Sequence, residues 1–221
     1  MEVQSHGFTW QNDILLNTYK VSSEDLVSMN YTQKDDLPGS FNTLNPGVAL
    51  SIKTTGSPNS VCMGDALRVY DSVFSTTPLH MVVLTYSQQG PIKHLESVIE
   101  VNLTNSGPLL FGDLCRSDIE QLDRAIKTLP SGKLTEDQRN EYKTIQETLS
   151  KSMTGLVLNP KIDSKHQRRL QCSFHHFLAF VNANPKRVIA RCGSDGLFRG
   201  AQLQTQLTSG RRQLRSGSEH D

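Results

Sequence analysis

The sequence predicts an α+β fold: a central mixed or antiparallel sheet with an amphipathic helix and a helical hairpin packed on it. Three observations lead there. Residues 48–53, 79–86 and 97–104 either alternate apolar and polar side chains or stay apolar throughout, the patterns of half-buried and buried strands. An apolar stripe at helical spacing lies between the first two runs. Two segments with helix-start signals follow the third.

Residues 1–47 are polar, with Asp35-Asp36-Leu37-Pro38-Gly39-Ser40 as a turn, and are expected to form a flexible or loosely attached lead-in. Only 13–19 offers one strand or short helix there. Val48, Leu50 and Ile52 share one face of the first strand. After a Gly-Ser-Pro-Asn-Ser break, Ser60 is the expected cap of a helix to Phe74, with Met63, Ala66, Leu67, Tyr70, Val73 and Phe74 as its stripe. Leu79 to Tyr86 reads as a buried strand and Gln89-Gly90-Pro91 as a turn. In 97–104 the inner face is expected to be Ile99, Val101 and Leu103, with Val98 and Glu100 opposite. Ser117 with Glu120, and Thr135 with Gln138, are capping boxes. They open two helices joined by Pro130-Ser131-Gly132, which suggests a helical hairpin. Beyond Pro160, residues 172–181, 188–192 and 201–207 read as strands. The organisation predicted is a lead-in over 1–47, one α+β domain over 48–207, and a disordered basic tail over 208–221.

The apolar fraction of 36% is modest against the usual ~45–50%, so the core is adequate rather than generous. No apolar run reaches the roughly 20 residues of a membrane span, and no secretory signal opens the chain, so an intracellular location is expected. The cysteines Cys62, Cys115, Cys172 and Cys192 form no C-x-x-C pair and are expected to be reduced thiols.

Charge is segregated. Residues 1–160 carry 12 Lys and Arg against 18 Asp and Glu, whereas 161–215 carry 11 against 2. Such asymmetry points to a polyanion, either nucleic acid or an anionic membrane surface. The candidate polyanion-binding residues are Lys165, Arg168, Arg169, Lys186, Arg187, Arg191, Arg199, Arg211, Arg212 and Arg215, with Lys161 nearby; contacts of this kind are steeply salt-dependent. Phe174, Phe177, Phe180 and Phe198 are interleaved with them, an arrangement open to base stacking, while the even spacing of Phe174 and Phe180 reads as core.

Catalytic signals are sparse. His175 and His176, near His166 and Cys172, form the densest ligand cluster, but neighbours on a strand point to opposite faces, so no metal site and no cofactor are expected. A cysteine enzyme needs a histidine base beside a low-pKa thiol. Cys115, His175 and His176 are the residues such an enzyme would use. Asp113 and Asp118 sit where acids stabilise a helix dipole. There is no phosphate-binding glycine loop, nucleophile elbow or zincin motif.

The order VALSIKT, GSPNS, an amphipathic helix ending YDSVF, LHMVVLTY and ESVIEVNLT resembles the central part of rhabdovirus-type matrix proteins, over about a third of the chain. The N-terminal basic tail and late-budding motif of animal-virus members are missing, so the likeness is to plant-infecting members. The resemblance implies a non-enzymatic structural protein that self-associates and bridges a viral nucleocapsid or RNA and an anionic membrane surface, without a small-molecule substrate, in the virion or the host cytoplasm or nucleus. Two alternatives use other features. One is an RNA-binding plant viral movement protein or silencing suppressor, working through the basic residues. The other is a small enzyme with a Cys/His site.

Overall fold

The computed structural model describes residues 5–28, 35–56, 60–129, 134–162 and 168–208. It is an α+β protein in which a five-stranded mixed sheet carries a separate apolar cluster on each face. The elements begin with helix α1 (Ser5–Asp13), a π-helical turn over Ile14–Thr18 and helix α2 (Ser23–Ser28). Strands β1 (Ala49–Thr55) and β2 (Val61–Asp65), helix α3 (Ala66–Phe74), and strands β3 (Leu79–Gln89) and β4 (Ile92–Asn102) follow. Then come helices α4 (Gly107–Phe111), α5 (Arg116–Lys127) and α6 (Glu136–Lys151). Strands β5 (Leu156–Lys161) and β6 (Arg169–Phe174), helix α7 (Phe177–Ala183) and a 3₁₀ turn over Pro185–Arg187 lead to β7 (Val188–Cys192), β8 (Leu197–Phe198), β9 (Ala201–Gln202) and β10 (Gln206–Thr208).

In the main sheet β1 pairs in parallel with β3, and β3 pairs antiparallel with β4. The far edge of β4 is shared end to end by β7 at Val98–Val101 and by β10 at Ile92–His94. A parallel neighbour requires a crossover, which α3 supplies. Residues 79–84 of β3 are apolar apart from His80 because both faces of this strand are covered. Leu79, Met81 and Val83 face one cluster, with α3, α5, α7 and the second sheet β2-β6-β5; Val82 and Leu84 face the other. Among the described residues no helix is long and apolar enough to cross a membrane.

Several expectations are corrected. The described part of the N-terminal segment is not a loose lead-in: Trp10, Ile14, Leu15, Tyr19 and Leu37 are buried on the second face of the sheet. Trp10 Nε1 donates to the Gln204 carbonyl at 2.8 Å, the Gln204 N–H donates to Asp13 at 2.6 Å, and Leu37 forms a two-way backbone bridge with Leu50. Polar composition hid a four-residue apolar spacing, Trp10-Ile14, that only a partner face could reward. The helix expected from Ser60 starts at Ala66; Val61 and Met63 bury as a strand, and the cap is Asp65, whose carboxylate accepts the Arg68 N–H at 2.9 Å. The first helix of the expected hairpin is capped at Cys115, two residues before Ser117, with Asp118 accepting the Cys115 N–H. The Thr135–Gln138 box forms as expected, while residues 130–133 lie outside the described residues. Residues 172–181 divide into the end of β6 and α7, and 201–207 splits into β9 and β10. The expected outer face of β4 is also an inner one, since Val98 and Glu100 are fully buried. Residues 209–221 lie outside the described residues, and Thr208 belongs to β10.

Removing the indole tests the N-terminal correction. Trp10→Ala is expected to lower unfolding free energy by about 3–5 kcal/mol, read by urea denaturation. A loss under about 0.5 kcal/mol, the size of an ordinary surface change, would restore the loose-segment picture.

Candidate functional site

The basic residues of the C-terminal third do not share one fate. Arg199, expected to face a polyanion, is turned inward: its Nη1 donates to Glu100 Oε2 at 2.6 Å, and its guanidinium lies 6.0 Å from the Tyr19 ring. Arg187 donates to the carbonyls of Asn102 and Thr104 at 3.0 and 3.1 Å, which fixes the turn after β4. Arg199 is corrected from a binding residue to a structural one, because a buried carboxylate holds a guanidinium more firmly than solvent does, while Arg187 is half-buried with one nitrogen engaged on backbone carbonyls. Arg168 is half-buried, whereas Arg169, Lys186 and Arg191 are exposed on β6, the 3₁₀ turn and β7. Lys165, Arg211, Arg212 and Arg215 lie outside the described residues.

Glu100 also accepts from His80 Nδ1 at 2.7 Å. His80 and Glu100 project from neighbouring strands onto the face where Tyr19 and Phe198 pack. Burial alone would raise the Glu100 carboxyl, but the His80 hydrogen bond and the Arg199 charge outweigh it and hold the group below its usual value. Burial, followed by the Glu100 charge, pushes the Tyr19 phenol up. With its carboxylate fully buried, the group serves as an internal latch for the 197–207 segment.

A different group of side chains meets at the surface. Residues of β1 alternate between the two clusters, with Leu50 and Ile52 on the N-terminal side, so Ser51 and Lys53 point to the face that α3 covers. The backbone bridge between Leu37 and Leu50 brings Asp36 alongside them. Asp36 Oδ2 accepts the Ile52 N–H at 2.6 Å and lies 3.4 Å from Ser51 Oγ and 3.8 Å from Lys53 Nζ; Oδ1 accepts from Gln11 at 3.1 Å. Side-chain exposure of about a quarter for both Lys53 and Asp36 makes the pair reachable and yet held. Across the gap stands the start of α3, with Asp65 at its cap and Arg68 one turn on. Asp35, Asp36, Ser51, Lys53, Asp65 and Arg68 line one cleft of about 210 Å³. Gly64, at its rim, has φ +100°, a conformation glycine adopts without strain at the β2–α3 junction.

Locally, residues 35–40 carry only turn chemistry, and the helical stripe expected over 60–74 runs across Asp65, so neither segment marks a site. The available signal was Ser51-x-Lys53, two polar side chains on the same face of an otherwise apolar strand.

His175 and His176 are exposed at the bend between β6 and α7, with ring centroids 4.5 Å apart. They line a second cleft of about 450 Å³ with Ser150, Met153, Phe180 and Asn184. Neither lies on a strand as expected, because α7 begins at Phe177. Cys172 is fully buried, and burial raises its thiol far above the reactive range. Cys115 is exposed, and its sulfur lies 3.8 Å from the Asp113 carbonyl at the start of α5. Among the described residues no group of three His, Cys, Asp or Glu could cage a metal ion. No family model matches the chain, and no curated protein or solved structure matches it either.

Proposed function

We propose that the protein is a divalent-cation-dependent hydrolase of nucleic-acid phosphodiesters, and that the cleft between β1 and α3 is its site. The observation that supports this is the meeting of Asp36, Ser51, Lys53 and Asp65 in that one cleft. A magnesium-type ion needs only one or two carboxylates, with waters and substrate phosphate oxygens completing its shell. Asp36 and Asp65 are the residues that would hold it. A cation held there would supply charge stabilisation at phosphorus and acidify a water.

Lys53 faces the same space, where an ammonium stabilises charge on a non-bridging oxygen or orients the attacking water. Arg68 and the first turn of α3 add positive potential for the phosphate. The hydrolytic step consumes one water. Its oxygen bonds to phosphorus, the bond from phosphorus to the leaving sugar oxygen breaks, and that oxygen takes one of the two protons.

Cleft size favours a polymer over a small metabolite. At about 210 Å³ the space falls below the ~300–1,000 Å³ of typical small-molecule pockets. It suits one phosphate group of a chain lying across the surface. The excess of cations in residues 161–215 fits the same polyanion.

Supercoiled plasmid incubated with the full chain is expected to be nicked or cut in Mg²⁺ or Mn²⁺, and to stay intact with EDTA. Intact plasmid in all arms would reject the proposal. The coat-assembly reading rests on the segregated charge and on the pattern likeness. It would be favoured by concentration-dependent oligomers that bind phosphatidylserine vesicles while the plasmid stays whole.

A further inference from the structure

Resting on that reading, we propose that the tip of the β3–β4 hairpin, widened by β10, is the surface that contacts the groove of double-stranded nucleic acid. Strand β1 ends at Thr55, opposite Thr85, but β3 continues to Gln89 and turns at Gly90 into β4. The hairpin therefore projects four residues, about 14 Å at ~3.4 Å each, past the end of the strand that carries Lys53.

Its two faces have different roles. Tyr86, Leu95 and Leu207 pack into the cluster that holds Trp10, so their chain neighbours point to the other side, the side of Ser51 and Lys53. Cross-strand register sorts those neighbours into two rows: Ser87, His94 and Gln206, then Gln89, Ile92 and Thr208. Gln89, Ile92, Gln206 and Thr208 are exposed and the other two half-buried. Amide, imidazole and hydroxyl groups are the donors and acceptors that meet base edges, and an aliphatic side chain can meet a thymine methyl.

Charge agrees with this use. Residues 86–95 and 203–208 contain no Asp or Glu, in a chain with 22 of them. The nearest acid along β4 is Glu96, at the bulge. Lys93, the one cation of residues 86–95, sits on the opposite face, 4.3 Å over the Tyr86 ring. Three strands ~4.8 Å apart span about 10 Å, within the ~12 Å width of a major groove. Counted along β3 from Val83, the register partner of Lys53, the rows lie four and six residues on, about 14 and 20 Å. A duplex can then hold one backbone in the cleft while a groove rests on the hairpin.

The test compares the parent with the Gln89→Ala/His94→Ala/Gln206→Ala variant in two assays: retention of a mixed-sequence DNA duplex in Ca²⁺, and hydrolysis of bis(4-nitrophenyl) phosphate in Mn²⁺. Thermal melts verify that both are folded. The variant is expected to bind duplex at least tenfold more weakly while hydrolysing the small diester within twofold of the parent. Equal duplex binding by both would overturn the groove surface and leave the cleft reading intact. A parent that ignores duplex overturns it too, and the small-diester assay then decides the cleft reading separately. Duplex binding without diester hydrolysis by the parent would instead remove the cleft reading, and the variant's retention still decides the groove surface.

Discussion

Replacing Lys53 with methionine is expected to slow DNA cleavage at least ~10²-fold while changing duplex affinity less than about threefold, since single charge-stabilising groups contribute about that much to the chemical step. Methionine keeps an unbranched apolar stem and removes the ammonium, so the exchange deletes the charge with little change of shape. Lys53 lies on the outer strand of the sheet, paired with Asp36 at 3.8 Å and a quarter exposed. A partly exposed pair at this separation contributes little to stability, so the fold should persist. Single-turnover cutting separates binding from chemistry. A variant that cuts as fast as the parent, or that fails only because it no longer binds, would take Lys53 out of the chemistry.

Glu100→Gln is expected to destabilise the protein by about 3–5 kcal/mol, the cost of leaving a buried charge without its partner. Glu100 is fully buried between His80 at 2.7 Å and Arg199 at 2.6 Å, and Arg199 is itself only 19% exposed. The variant leaves that guanidinium facing a neutral amide. Glu100→Leu combined with Arg199→Leu should recover part of the loss, because both charges leave together. Chemical denaturation of the three proteins checks this. A loss below about 1 kcal/mol for Glu100→Gln would mean that the latch does not hold.

The same pair sets an acid limit. Folding lowers the Glu100 carboxyl below its usual 4.5, so below that value the unfolded chain binds the extra proton. The stability from this group is present above 4.5 and fades as pH falls through the lower, folded value. Glu100→Gln should flatten that part of the stability profile.

Much of the sheet was legible because periodicity is local. Alternation in β1 and the apolar run of β3 reflect which faces are covered, and each shows within a few residues. The N-terminal packing was not legible, since Trp10 and Ile14 make sense only against Leu50, Leu84 and Phe198, which lie far along the chain. The same distance misled the charge argument. Arg199 looked like one more surface cation until Glu100, 99 residues earlier, claimed it. The cleft was hidden for a related reason: Asp36, Lys53 and Asp65 each have an ordinary local reading as turn, strand and helix residue. Only the Leu37–Leu50 bridge and the start of α3 bring them together.

The β1–α3 cleft is tested most directly by Asp36→Asn/Asp65→Asn, because asparagine also caps helices and keeps the shape of both residues while weakening a hard-cation site. In Mg²⁺, with an end-labelled duplex, the parent should release fragments bearing terminal phosphate. The double variant, folded by its melting curve, should release at least ~10²-fold less. Matched cleavage by the two proteins would place the chemistry elsewhere.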